Sequence, residues 1–277
     1  MRDVLGFGKF GIILLLLIAL FAVFVPILSS YNYAEISLTE KNLPPSWEHW
    51  FGTDDLGRDM FVRSSYGARI SLTIGICAAL VDMVIGVIWG GFAGYFGGRL
   101  DEVLMRIADI LFSLPYVLVA TLLMVIMEPG MVTMIVALSL IGWITMARVV
   151  RAHILQLREQ DYVLASQAFG GSGWWVIRKH LIPNSLTPII CTLTLSVPTA
   201  IFTEAFLSFL GLGIQAPMAS WGTMASEGLP ALAYYPWRVL FPIGCITLTM
   251  LAFNSLGDEL TKRVQNGQKE TIGYSRA

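Results

Sequence analysis

The chain has 277 residues, of which 56% are apolar and 13% charged, with a net charge of -1 and a mean hydropathy of +0.69. A water-soluble domain carries roughly 25% charged residues, so this composition excludes a soluble enzyme, and the near-zero net charge excludes an electrostatic nucleic-acid binder. What remains is an integral membrane protein. Cys77, Cys191 and Cys245 stand far apart in apolar context without CxxC spacing, and read as packing residues.

A helix needs about 20 apolar residues to cross the hydrocarbon core. Runs of that kind lie near 10–28, 70–95, 104–127, 131–149, 186–212 and 238–257, which predicts an all-α integral membrane chain with about six transmembrane helices. The first run exceeds the roughly 7–15 apolar residues of a secretory signal and has no A-x-A cleavage site after it, so it is expected to stay as a span. Residues 1–69 then form the first helix and a long outer loop, and 70–277 a five-helix core. The loop carries Tyr31, Tyr33, Pro44, Pro45, Trp47, Trp50 and Phe51, residues suited to anchoring depth at a membrane boundary. Its polar run from Gly52 to Asp59, beside apolar Met60, Phe61 and Val62, predicts a structured hairpin.

In the second span Gly86, Gly90, Gly94 and Gly98 recur every four residues and form one smooth stripe, expected to let this helix approach another span of the same chain. Asp82 and Glu204 lie deep within spans. An unpaired charge at the bilayer centre costs at least about 2.5–3.5 kcal/mol, so both are candidates for a translocation pathway; the alternative is a carboxylate held by hydroxyls, such as Thr203 or one on another helix. Asp109, beside Arg106, is expected at the interface.

Between the fourth and fifth spans lies a polar, basic island, Asp161 to Pro183. It reads as two short helices around Gly170-Gly171-Ser172-Gly173, with Asp161 and Ser172 as N-caps and Pro183 stopping the second. His180, with Arg178 and Lys179, suits the end of a helix. Seated in a groove of a partner, the first helix would offer Val163, Ala165 and Phe169 as anchors. In the tail after Glu259, Asn266-Gly267 signals a turn. With six spans both termini share one side, and that side holds thirteen of the 18 Lys and Arg residues, which places the termini and the island in the cytoplasm.

No catalytic constellation is visible. His49, His153 and His180 are dispersed, and HExxH and GxSxG are absent. No phosphate-binding G-x-x-x-x-G-K-[ST] occurs either, since Gly8-Lys9 lacks both the upstream glycine and the hydroxyl.

Three stretches carry a family resemblance. Leu164-Ala165-Ser166, Gly170 and Ile182-Pro183 keep the spacing of a cytoplasmic motif of the form EAA, a glycine four residues on and a distal Ile/Leu-Pro, with the leading glutamate and second alanine replaced. Phe51 to Leu72 and Glu204 to Met224 match two further signatures in the same order. In these the chain resembles, over nearly its whole length, the membrane permeases of ATP-binding-cassette importers of the dipeptide, oligopeptide and nickel group. The resemblance implies a type I importer permease fold with a cytoplasmic coupling-helix hairpin in the loop 150–185. It further implies ATPase coupling through Tyr162, Val163, Leu164, Ala165, Ser166, Ala168, Phe169, Gly170, Gly171, Ser172 and Pro183. The implied partners are a homologous second permease, two cytosolic ATPase subunits holding ATP and Mg, and an extracytoplasmic solute-binding protein facing the outer loop and the loop after the fifth span. No cofactor or catalytic site is expected on this chain, which would sit in a bacterial or archaeal cell membrane. Peptides lead as cargo over nickel or a metal chelate because no His/Met cluster is present. A stand-alone secondary transporter using Asp82 and Glu204 is the reading from another class, and no internal repeat between 1–130 and 131–277 supports it.

Overall fold

The computed structural model describes residues 4–274, with side chains for 8–262. Arg2 and Arg276, which enter the charge asymmetry, lie outside the described residues. Helix α1 (Val4–Leu28) is apolar all round and leaves Leu16, Leu17 and Phe24 uncovered, as a helix bathed in lipid should. Pro26 has no N–H to give the Ala22 carbonyl four residues back. That carbonyl accepts instead from Arg69 Nε, while Arg69 Nη2 donates to Val23 O at 2.8 Å.

Helix α2 (Met60–Phe96) begins ten residues before the expected start of the second span at 70. Its N-cap is Asp59, whose Oδ1 accepts from Val62 N at 2.8 Å. Arg63 and Arg69 are therefore helical residues, where the sequence put them in a loop. At 37 residues and 1.5 Å per residue, α2 is about 55 Å long and reaches both ends of the molecule.

The chain turns at Gly97 (φ 64°) into α3 (Gly98–Phe112), and α4 (Tyr116–Met127) follows at 81° to it. The expected single span 104–127 is thus a bent pair. Pro115 causes the break: it cannot donate to the ladder and it disfavours helical backbone at Leu114. Among the described residues five helices are long and apolar enough to cross a membrane, and a sixth crossing exists if the bent pair counts as one.

Helix α5 (Met131–Leu157) lies along α2. A Cβ on Gly86 would stand 2.6 Å from Met146 Cβ, one on Gly94 2.9 Å from Arg151 O, and one on Gly90 would strike the Ala147 carbonyl. The glycine stripe therefore packs inside the chain, as expected, but it ends at Gly94. Gly98 lies past the turn with φ 53°, and a Cβ there would meet nothing within 4 Å.

After α5 come α6 (Asp161–Ala168), α7 (Gly173–Val176), a π turn over Ile177–Leu181 and α8 (Ile182–Asn184). Then α9 (Leu186–Leu207), α10 (Trp221–Gly228) and α11 (Trp237–Tyr274) complete the fold. Helix α11 runs straight through Asn266 and Gly267, so the expected turn there does not form.

Candidate functional site

The island at 161–183 forms the expected helical hairpin, with different joints. Gln160 holds the N-cap position of α6 and Asp161 lies in its first turn, where a negative charge suits the helix dipole. Helix α6 ends in a Schellman cap: Gly170 N donates to Gln167 O at 2.9 Å and Gly171 N to Ser166 O at 3.0 Å, with Gly170 at φ 86°. This is the physical content of a glycine four residues after Ser166, since an L side chain is strained there. Ser172 caps α7 as expected, accepting from Trp175 N at 3.4 Å. Pro183, by contrast, stops nothing. The backbone before it widens into the π turn, where Ile182 N donates to Ile177 O, and the helical path continues with one interruption at Ser185 into α9. Widening the ladder is how a helix absorbs a residue that cannot donate.

Which side chains face outward differs from the expected anchors. Val163 is fully buried with Val176, Ile177 and Leu181 against Val150 and Ile154 of α5, so it holds the hairpin to its own chain. Trp174 stacks on Phe92 (5.8 Å between centroids), Gln167 Nε2 donates to Tyr95 Oη at 3.3 Å, and a Cβ on Gly173 would meet Tyr95 at 2.8 Å. The hairpin is thereby clamped to the final turns of α2 and α5. Phe169 is 91% exposed, and Tyr162, Leu164, Ala165, Ala168 and Trp175 are also exposed. An open groove of about 630 Å³ runs between Phe169, Tyr162, Trp175 and His180, floored by Ser166 and Gly170 to Ser172. Trp174 and Trp175 were not among the expected contact residues, although their place directly after the capped glycine turn was visible.

At the far end of α2 the hairpin predicted from the polar run is present, with Thr53 and Asp59 bridged antiparallel. Its polar groups consume one another. Asp54 Oδ1 accepts from the backbone of Leu56 (2.9 Å) and Arg58 (3.0 Å), and its Oδ2 accepts from Arg58 Nε (2.6 Å) and Arg63 Nη1 (3.0 Å). Arg63 Nη2 reaches Glu227 of α10 at 2.8 Å, Arg238 pairs with Asp55 at 3.0 Å, and His49 Nδ1 lies 2.8 Å from Asp59. Burial holds the Glu227 carboxyl above its usual range against the pull of Arg58. Trp47 (95% exposed) and Trp50 remain outside this knot, with Tyr234 near them in exposure.

The two acidic residues inside the spans separate. Glu204 is fully buried and accepts from Ser71 Oγ (3.1 Å) on α2 and Ser208 Oγ (2.7 Å), and Trp221 N donates to Ser71. Thr203 takes no part, its hydroxyl donating to Thr199 O. Glu204 ties α9 to α2 and α10. Asp82 lines a cavity of about 480 Å³ bounded by α2, the bent α3–α4 pair, α5 and α9. Asp109 is at a helix surface and pairs with Arg148 at 2.9 Å.

Comparison with known proteins agrees with this geometry. Residues 86–266 match the family model described as binding-protein-dependent transport system inner membrane component. The chain belongs to that family. Residues 7–45 match the N-terminal transmembrane domain of oligopeptide transport permease C. Among curated relatives, the oligopeptide transport system permease protein OppC of Bacillus subtilis is 57% identical over 250 residues, 90% of this chain and 82% of that protein. The dipeptide transport system permease protein DppC of the same organism is 57% identical over 251 residues, covering 90% and 78%. The Escherichia coli K12 OppC is 40% identical over 252 residues, covering 90% and 83%. In fold, the family member matches the inward-facing MetNI methionine ABC transporter with TM-score 0.59 at 19% identity, over 71% of this chain and 93% of that one.

Proposed function

We propose that this chain is the transmembrane permease subunit of an ATP-binding-cassette importer for di- or oligopeptides and forms half of its translocation pathway. The observation that carries the reading is the hairpin that is buried along one side by α2 and α5 and left apolar and aromatic along the other. A membrane protein gains nothing by holding Phe169, Leu164 and Trp175 in water, whereas a short helix with an apolar face fits a groove on a second protein. The partners are two cytosolic ATPase subunits, which bind ATP and Mg, a homologous second permease, and an extracytoplasmic binding protein at the outer knot. The cargo assignment rests on the names of the relatives. The chain lies in a bacterial inner membrane with both termini and the hairpin in the cytoplasm, on the strength of its positive charges.

The mechanism follows from what the hairpin is fastened to. Closure of the ATPase pair draws the two docked hairpins together. Clamped by Val163 and Trp174 to α2 and α5, each hairpin moves as one body with those helices, and α2 carries the displacement to the outer knot. Affinity purification from native cells in mild detergent, with mass spectrometry, tests the docking. Deleting the hairpin would remove buried Val163 and confuse docking with folding, so the informative variant is Leu164→Ser with Phe169→Ser, both exposed. ATPase subunits accompanying wild type and absent from the variant, at equal permease yield, is the expected result. Equal recovery from both would refute the hairpin as the docking site.

A further inference from the structure

The cavity between α2, the bent α3–α4 pair, α5 and α9 has a one-sided chemistry. Helix α9 presents Thr192, Ser196, Thr199 and Thr203 to it, at spacings of four, three and four residues that keep them on one helix face. Each of these hydroxyls donates its proton to its own helix: Thr192 to Pro188 O (2.8 Å), Ser196 to Thr192 O (3.0 Å), Thr199 to Leu195 O (3.0 Å) and Thr203 to Thr199 O (2.7 Å). What they have left for the cavity is lone pairs. Opposite them Asp82 is buried to within 7% of full cover, and its Oδ1 has no hydrogen-bond partner among the described residues. Ser139 stands within hydrogen-bonding reach of this carboxylate and also donates to Ala78 O at 3.3 Å, which leaves Oδ1 the oxygen without a partner. Gly142 makes the room: a Cβ there would strike Asp82 Oδ2. Tyr116 Oη, on the same wall, is likewise buried without a partner. No Lys, Arg or His lines the cavity among the described residues, and the two arginines of α5 nearest it in sequence are engaged by Asp109 and Asp101.

We propose that this cavity is a subsite that takes the primary ammonium group of the cargo in transit, with Asp82 as counter-charge and the α9 hydroxyl oxygens as a track of acceptors. The proposal rests on the peptide-permease reading and adds the group that is recognised. An ammonium offers three donors and one positive charge, which match a single carboxylate among neutral acceptors. A divalent cation calls for more charged ligands than this wall carries. A track of equivalent weak acceptors lets the group advance along α9, which a pathway needs more than a tight trap.

The test uses the complete transporter in lipid nanodiscs, with Cys77, Cys191 and Cys245 replaced by serine and Thr199→Cys introduced; Thr203→Cys serves if that chain does not assemble. Cationic trimethylammonioethyl and anionic sulfonatoethyl methanethiosulfonates label the new thiol, with rates expressed relative to a free thiol in solution. We expect the cationic reagent to be favoured about tenfold, the preference to vanish in Asp82→Asn, and trialanine to slow labelling where N-acetyl-trialanine does not. An acetylated peptide bearing lysine distinguishes the two sources of ammonium: protection by it extends the subsite to side-chain amines, and its failure restricts the subsite to the peptide N-terminus. Equal relative rates, or a preference that survives Asp82→Asn, overturn the site. Cation preference with no protection by any amine-bearing peptide overturns the cargo assignment. Because labelling does not depend on uptake, absence of peptide transport by wild type would defeat the peptide reading and leave the site result standing.

Discussion

The two ends of α2 are built on opposite plans. At its Met60 end, acidic and basic side chains from the hairpin at 53–59, α2, α10 and α11 pair with one another, and Arg63 and Asp54 are almost wholly covered. At its Phe96 end a hairpin is clamped by one apolar face and exposes another. The difference teaches where to look for a partner. At the Met60 end the buried charges are paired within the chain, so a partner there meets the exposed rim of Trp47 and Trp50, whereas the Phe96 end leaves an apolar face without cover.

The contrast is broken most severely at Arg63. Arg63→Ala leaves Asp54 to Arg58 alone and uncouples α2 from Glu227, and breaking a buried pair costs about 3–5 kcal/mol. We expect a large fall in the thermal unfolding temperature of the purified permease; an unchanged midpoint would mean that the knot contributes little. Gly170→Pro tests the other end. Proline cannot adopt φ 86° and has no N–H for Gln167 O, so the Schellman cap is lost and the aromatic face is misaligned. Membrane insertion should be intact, while solute-stimulated ATP hydrolysis falls by at least about tenfold. Full stimulation in that variant would remove the hairpin from the coupling path.

The smallest effect is expected at Glu227. Its folded-state pKa lies above the ordinary 4.5 because of burial, so the folded state binds its proton more readily than the unfolded one. Stability should therefore rise slightly as pH falls through the raised pKa toward 4.5, and level off below it. Glu227→Gln should flatten this slope while costing little at neutral pH, since the side chain is 43% exposed. A slope that persists in the variant would point to another group.

Much of the hairpin site at 161–183 was legible in residue types and spacing. The glycine at 170 and the serine at 172 carry their meaning locally, because positive φ and an orphan amide are properties of a few consecutive residues. The break at Pro115 was equally local, and was overlooked because the apolar run continues across it. The Ser/Thr row of α9 could have been read as a face, but only the cavity opposite gives it a role.

The sequence by itself determined a lipid-embedded, all-helical chain, the place of its polar hairpin, the close-contact stripe of Gly86, Gly90 and Gly94, and the absence of a phosphate-binding loop. These depend on composition, period and single-residue backbone preference. Tertiary structure alone decided that Val163 faces home and Phe169 faces out, that Pro183 is absorbed by a π turn, and that Glu204 is a tie between helices while Asp82 opens on a cavity. Two carboxylates in apolar spans look alike along the chain. What separates them is whether another helix brings hydroxyl protons to meet the charge, as Ser71 does for Glu204, or has already spent those protons on its own carbonyls, as α9 has beside Asp82.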